Sequence, residues 1–201
     1  MPPGKVEAVA PYHVSDSRID YFVNSHSDWI EKKVAHFRQF SDVMFNKDIT
    51  KSIVFLGKDY PVEIAKTSGR ARLKLEFDKA VFYSNFGSKK ELRSLLEKFY
   101  RKETKKIAQN LVSKKLKRNL KISVRGQKTR WGSCSTRGTL SLNWKLAIAP
   151  LPVFNYVICH EVAHLKHFNH SRTFWKEVEQ MCPNYLEHRK WLRKKGFLMN
   201  F

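Results

Sequence analysis

The stretch Val157-Ile158-Cys159-His160-Glu161-Val162-Ala163-His164-Leu165 sets two imidazoles four residues apart, with a carboxylate directly after the first. On an α-helix such residues share one face about 6 Å apart, so both rings can aim at one cation. Glu161 is turned by about 100° from His160 and falls outside that shell, where its carboxylate can take a proton from a metal-bound water and pass it to a leaving amine. HExxH within an apolar helical pattern therefore points to zinc-dependent hydrolysis of a peptide bond, with zinc-bound water as the attacking group and Glu161 as the general base. A catalytic zinc takes three protein ligands and keeps one position open. Two further histidines follow. His167 lies seven residues past His160, about 10.5 Å along the axis, too far to share an ion with it. His170 can be the third ligand only if the helix ends before it. Asn169, which tolerates the left-handed conformation, is the expected place for that turn, and Ser171 is the expected cap of the next helix.

The elements that must hold these residues can be read from periodicity. Ser15-Asp16-Ser17 precedes apolar positions at helical spacing, predicting one helix over about 17–39. Ile53 to Phe55 and Tyr60 to Ile64 flank Gly57 as a hairpin, and Leu73 to Phe77 with Val81 to Tyr83 form another. Ser88-Lys89-Lys90-Glu91 has capping-box spacing and opens a long basic helix over about 89–117. Ile122 and Val124 predict a short strand, 126–138 a loop, and the alternation of Leu140, Leu142, Trp144 and Leu146 a strand over 139–147 at the edge of the cleft, where an extended substrate would add by backbone pairing. Three helices, about 152–168, 171–182 and 185–195, complete the chain, with Pro183 as a break. The fold class is α+β, with residues 1–87 forming a helix plus a small antiparallel sheet and 88–201 the catalytic part of one continuous unit.

Composition limits the partners. The chain of 201 residues carries a net charge of +21, and twelve Lys or Arg against the single acid Glu103 fall between Arg101 and Arg130. Such a field draws polyanions, so nucleic acid is an expected partner along the basic helix 101–118, beside the peptide or protein substrate. Three cysteines without a CxxC pair read as reduced thiols, and no window reaches the roughly 18–20 apolar residues of a membrane span. The expectation is a cytoplasmic, soluble protein without a membrane partner.

Four blocks resemble the YgjP-like metallopeptidases, relatives of the SprT-like and minigluzincin-type zincins: Arg130-Trp131-Gly132-Ser133-Cys134, Leu142-Asn143-Trp144-Lys145-Leu146, His160 to His164, and Asn169-His170-Ser171 with Phe174-Trp175. The resemblance implies a zincin core with an N-terminal helix and small sheet extension, one zinc ion per chain on His160, His164 and His170, Glu161 as general base, and peptidase activity. His167 stands where the metzincin pattern has Gly, which argues against that group.

Other residues have two readings each. Arg130, Trp131 and Asn143 are candidate substrate contacts, although Trp131 could equally plug the core and Gly132 allow close backbone approach. Cys134 reads better as a small buried group than as a ligand. Oxyanion donors could come from Tyr156, His167, Tyr185 or His188, while Phe174 and Trp175 are expected to pin the His170 turn. The rivals to a peptidase are a basic nucleic-acid-associated protein with a structural zinc site, a DNA-associated protease of SprT-like type, and a metal-bound peptide-binding module without turnover. A non-ligand Glu at 161 and only three ligands favour the enzyme.

Overall fold

The computed structural model describes residues 6–44, 48–85, 87–116 and 120–199, with side chains described outside 36–44. Two compact units are distinguished, the first reaching to Lys47 and the second running from Asp48 to Asn200. In the first, the expected single helix is two: α1 (Asp16–Ser25) and α2 (Ser27–Met44). They part at His26. The Ser25 hydroxyl and the His26 ring Nδ1–H both donate to the Phe22 carbonyl, at 2.9 and 2.8 Å, and so compete with the backbone ladder.

The second unit opens with four strands, β1 (Ser52–Phe55), β2 (Lys58–Ala65), β3 (Arg72–Glu76) and β4 (Lys79–Tyr83). The two expected hairpins form, yet the sheet is mixed and not antiparallel throughout. Its order is β1-β2-β4-β3, with β2 and β4 parallel. After β2 the chain passes to the outer position as β3 and returns between its neighbours as β4, which puts the most apolar strand, with Ala80, Val81 and Phe82 buried, in the middle. The β1–β2 turn needs positive φ at both central residues, and Leu56 (50°) and Gly57 (78°) supply it. Leucine tolerates this poorly, but the two N–H groups donate to the carbonyls of Ala147 and Ile148 at 2.7 and 3.0 Å, tying the hairpin to the 3-10 turn Trp144–Ile148.

Helix α3 (Lys89–Leu116) begins as expected, with Ser88 Oγ accepting from Glu91 N at 3.2 Å. Its Leu92, Leu96, Ala108 and Val112 are buried while all its lysines but Lys115 are exposed. A second sheet follows, of β5 (Ile122–Arg125), β6 (Gly132–Cys134) and β7 (Leu140–Asn143), in the order β5-β7-β6. Two expectations are corrected here. The loop 126–138 contains strand β6, and the strand read over 139–147 stops at Asn143, where a 3-10 turn takes over from Trp144 to Ile148. Asn143 ends the strand by accepting from Lys145 N through its side-chain oxygen at 3.2 Å. Trp144, Leu146, Ala147 and Ile148 are all buried, so apolar side chains on a tight turn imitated the alternation of a strand. As the central strand, β7 has no open edge; the outer strand on that side is β6.

Helices α4 (Leu151–Ala163), α5 (Arg172–Met181) and α6 (Tyr185–Lys195) complete the unit. Phe154, Val157, Ile158, Cys159, Val162 and Ala163 bury α4 almost all round, in one cluster with Ala108 and Val112 of α3, the sheet residues Ile122, Leu140 and Leu142, and Phe174 and Val178 of α5. A helix wrapped in this way is a rigid mount for any polar group it carries. No helix among the described residues is long and apolar enough to cross a membrane.

Candidate metal centre

Helix α4 ends earlier than its sequence pattern, at Ala163, with His164 as its cap at φ −65° and ψ −14°. The chain then tightens through successive turns, Leu165 N bonding Val162 O and both Lys166 N and His167 N bonding Ala163 O. No left-handed residue is used at Asn169: Leu56 is the one non-glycine with positive φ among the described residues. The reversal is fixed at its two ends instead. At one end the His167 carbonyl accepts from His164 Nδ1–H at 2.9 Å. At the other, Ser171 caps α5, its Oγ accepting from Phe174 N at 3.4 Å.

The outcome is that His160, His164 and His170 meet. One ligand atom from each lies within 4.8 Å of the other two, and Nε2 of His160 and Nε2 of His170 are 3.2 Å apart. Two nitrogens on a tetrahedral zinc at about 2.0–2.1 Å would be about 3.3 Å apart, so this edge already has the right length. Because a carbonyl can only accept, His164 carries its proton on Nδ1 and keeps the Nε2 lone pair free for a cation. Burial first, then the neighbouring His164, His170 and Arg189, pull the His160 pKa down to about 4, and burial with His164 and Arg189 lowers that of His170. Both rings are thus in the neutral form that ligates. His160 Nδ1 is buried without a hydrogen-bond partner, and its Nε2 is the nitrogen turned toward His170. On these grounds the residues fit a zinc ion. They are the one group of three potential ligands among the described residues, and Cys134 is not in it.

The ring walls are aromatic. Phe174 lies 4.6–5.0 Å, centroid to centroid, from all three imidazoles, and Trp175 stacks on His170 at 5.7 Å. Tyr185 stacks on the same indole at 5.4 Å, and the Arg189 guanidinium sits over it at 4.5 Å. Nothing in the spacing of α6 marks Arg189 as part of this group; only its place within a run of basic residues was visible.

Glu161, 5% exposed, packs its carboxylate against β6. A Cβ on Gly132 would lie 2.6 Å from its Oε1, 2.8 Å from its Cγ and 2.9 Å from its Cδ, so strand and carboxylate can approach this closely only because residue 132 has no side chain. Burial raises the Glu161 pKa to about 7 against the opposing pull of the Arg130 guanidinium. Cys134, half-buried on β6, has its thiol pushed up by burial and by Glu161, and so stays protonated.

The remaining expected site residues are distributed unevenly. Arg130 lies near enough to Glu161 to act on its ionisation. Trp131 packs on the edge of the core, with Gly196 beneath its ring. Asn143 is 2% exposed and its amide is fully used: Nδ2 donates to Gln127 O at 2.7 Å and Arg130 O at 3.1 Å, and Oδ1 accepts from Lys145 N. It shapes the loop that carries Arg130. The Tyr156 ring is 6.1 Å from that of His160, and burial lifts its pKa to about 12, so its hydroxyl keeps its proton. His167 contributes its backbone carbonyl, and Tyr185 contributes through Trp175.

A family model described as YgjP-like, metallopeptidase domain, matches residues 1–195. The chain belongs to the YgjP-like metallopeptidases. Its fold is α+β, and its activity is hydrolysis of peptide bonds with the aid of a metal, so its substrate is a peptide or protein. Two solved structures share part of the chain. The metallopeptidase zymogen abylysin of Pyrococcus abyssi is 26% identical, the match covering 46% of this chain and 92% of that one with a TM-score of 0.37. The metallopeptidase zymogen jannalysin of Methanocaldococcus jannaschii is 24% identical, covering 44% of this chain and 96% of that one with a TM-score of 0.35. No curated protein matches in sequence.

Proposed function

We propose that this YgjP-like metallopeptidase is a zinc enzyme in which His160, His164 and His170 hold one ion and Glu161 is the general base. The convergence of three imidazoles from two separate elements carries this reading. When bound there, zinc would polarise the substrate carbonyl and acidify a water toward neutral pH. Glu161 directly follows His160 on the same helix, and a carboxyl held at about 7 exchanges protons at physiological pH in either direction. Its neighbour β6 has an outer edge free of any other strand among the described residues, and an extended substrate aligned there would run past Glu161. The strand expected for that task, β7, is covered on both sides, so the role passes to Gly132–Cys134.

Nucleic-acid association along α3 is a separate part of the reading. Lys102, Lys105, Lys106 and Lys114 are exposed on it, whereas Arg101 is engaged with Glu97 and the Val124 carbonyl, and Lys115 with the Met181 carbonyl. Its test is stimulation of cleavage by DNA. For the peptidase, wild type is compared with Glu161→Gln and His170→Ala on unfolded casein, with metal content measured in parallel. Zinc retained and cleavage lost in Glu161→Gln, with zinc lost in His170→Ala, supports the assignment. Unchanged cleavage in Glu161→Gln sinks it.

A further inference from the structure

A second concave site lies in the same unit, between the first sheet and α3. Strand β3 ends its sheet, and no strand covers its outer edge among the described residues. A cavity of about 650 Å³ runs along that edge, lined continuously from Arg70 to Leu75 and closed on the other side by Leu95, Lys98, Phe99, Lys102 and Glu103 of α3. This volume is within the range of ligand sites, about 300–1,000 Å³. Leu73, Leu75, Leu95 and Phe99 give it an apolar floor, and Arg70, Arg72, Lys74, Lys98 and Lys102 are exposed around it against the single acid Glu103. None of the five cations is in an ion pair with a described acid. Arg72 and Lys74 instead lie over the Tyr83 ring, at 4.4 and 5.9 Å. Phe77, the residue after β3, is fully exposed.

We propose that this groove docks an extended acidic segment of another protein by strand addition to β3. Three features select that occupant. An open strand edge presents N–H donors and C=O acceptors in alternation, which a peptide backbone can match on both counts; a phosphate chain answers only the donors. Side chains of an added strand alternate between the faces of the sheet. Apolar residues would meet Leu73, Leu75, Leu95 and Phe99, and acidic ones between them would meet Arg72 and Lys74, with Lys98 and Lys102 on the helix wall. Finally, a second copy of the chain, itself at +21, is repelled from this edge, whereas an acidic chain is drawn to it. The site is separate from the three histidines and does not depend on the metal-centre reading.

The test uses the full chain and a capped, fluorescent peptide of about ten alternating Glu and Val residues, somewhat longer than the five-residue strand. Binding is followed by anisotropy, with the peptide checked by mass for cleavage, and amide exchange is measured over Arg72–Glu76. The groove variant is Lys74→Glu with Lys98→Glu. Both positions are exposed and outside the metal centre, so casein cleavage reports that the variant is folded. The expected result is binding that slows exchange in β3 and weakens by about tenfold or more in the variant. Equal binding by the variant, or no slowing in β3, overturns the proposal. So does an oligothymidylate that displaces the peptide and itself loses affinity in the variant, which would make the groove a nucleic-acid site.

Discussion

Replacing Gly132 by Ala tests how the carboxylate is held. The position has an ordinary φ, so alanine is conformationally permitted and would by itself stabilise the chain slightly by restricting its unfolded state. The obstacle is steric. The new methyl would stand 2.6–2.9 Å from three atoms of Glu161, where carbon contacts need about 3.4 Å or more. Either β6 or the carboxylate must move by roughly half an ångström or more, and Glu161 has little room because it is buried on a helix packed on every side. A misplacement near 1 Å costs about a hundredfold in rate, so kcat/KM on an internally quenched peptide should fall by about ten- to a hundredfold. The three atoms nearest the new methyl all belong to Glu161 and none to an imidazole, so zinc content should stay at the wild-type level. Overpacking would lower stability by about 1–3 kcal/mol, offset in part by the unfolded-state effect. A variant with wild-type kcat/KM would refute the claim that this approach positions the base.

Two other perturbations have defined signs. The folded Glu161 carboxyl titrates at about 7 because of burial, against 4.5 as the unperturbed value, so its ionisation penalises the folded state in full above pH 7 and hardly at all below pH 4.5. Metal-free Glu161→Gln should therefore be more stable than metal-free wild type by up to about 3 kcal/mol at pH 8, with the gap shrinking below about 1 kcal/mol at pH 5; urea unfolding at the two pH values measures it, and a gap that widens on acidification contradicts the assignment. Asn143→Ala removes three hydrogen bonds from a buried tie and leaves Lys145 N and two loop carbonyls without their partner. It should cost about 2–4 kcal/mol in denaturant unfolding, and a loss below about 0.5 kcal/mol would show that the loop holds itself.

The approach of His160 to His164 was legible in the sequence because a four-residue repeat on a helix is a local fact. His160 and His164 needed only the helical pitch, and the exclusion of His167 followed from the same arithmetic. The convergence of His170 was legible as a condition, that the chain must turn, but the means was not: a His164 ring bonded to the His167 carbonyl depends on side-chain geometry that no propensity encodes. The break at His26 was hidden for the same reason, since Ser25 and His26 look helical until their side chains take the Phe22 carbonyl. Strand β6 is three residues of Gly, Ser and Cys without periodicity, and exists through its pairing with β7. Trp144 and Leu146 misled in the opposite sense, because burial on a 3-10 turn and burial on one face of a strand both yield apolar residues two apart. Parallel pairing of β2 with β4 joins residues far apart in the chain and leaves no local trace.

The most direct measurement of the central claim is a zinc titration of the chelator-stripped chain, with cleavage of unfolded casein read at each addition. One ion per chain on His160, His164 and His170 predicts no cleavage at the start, a rise with added zinc, and a plateau at one equivalent. Cleavage that survives complete removal of metal, or that does not return when one equivalent of zinc is bound, would contradict it.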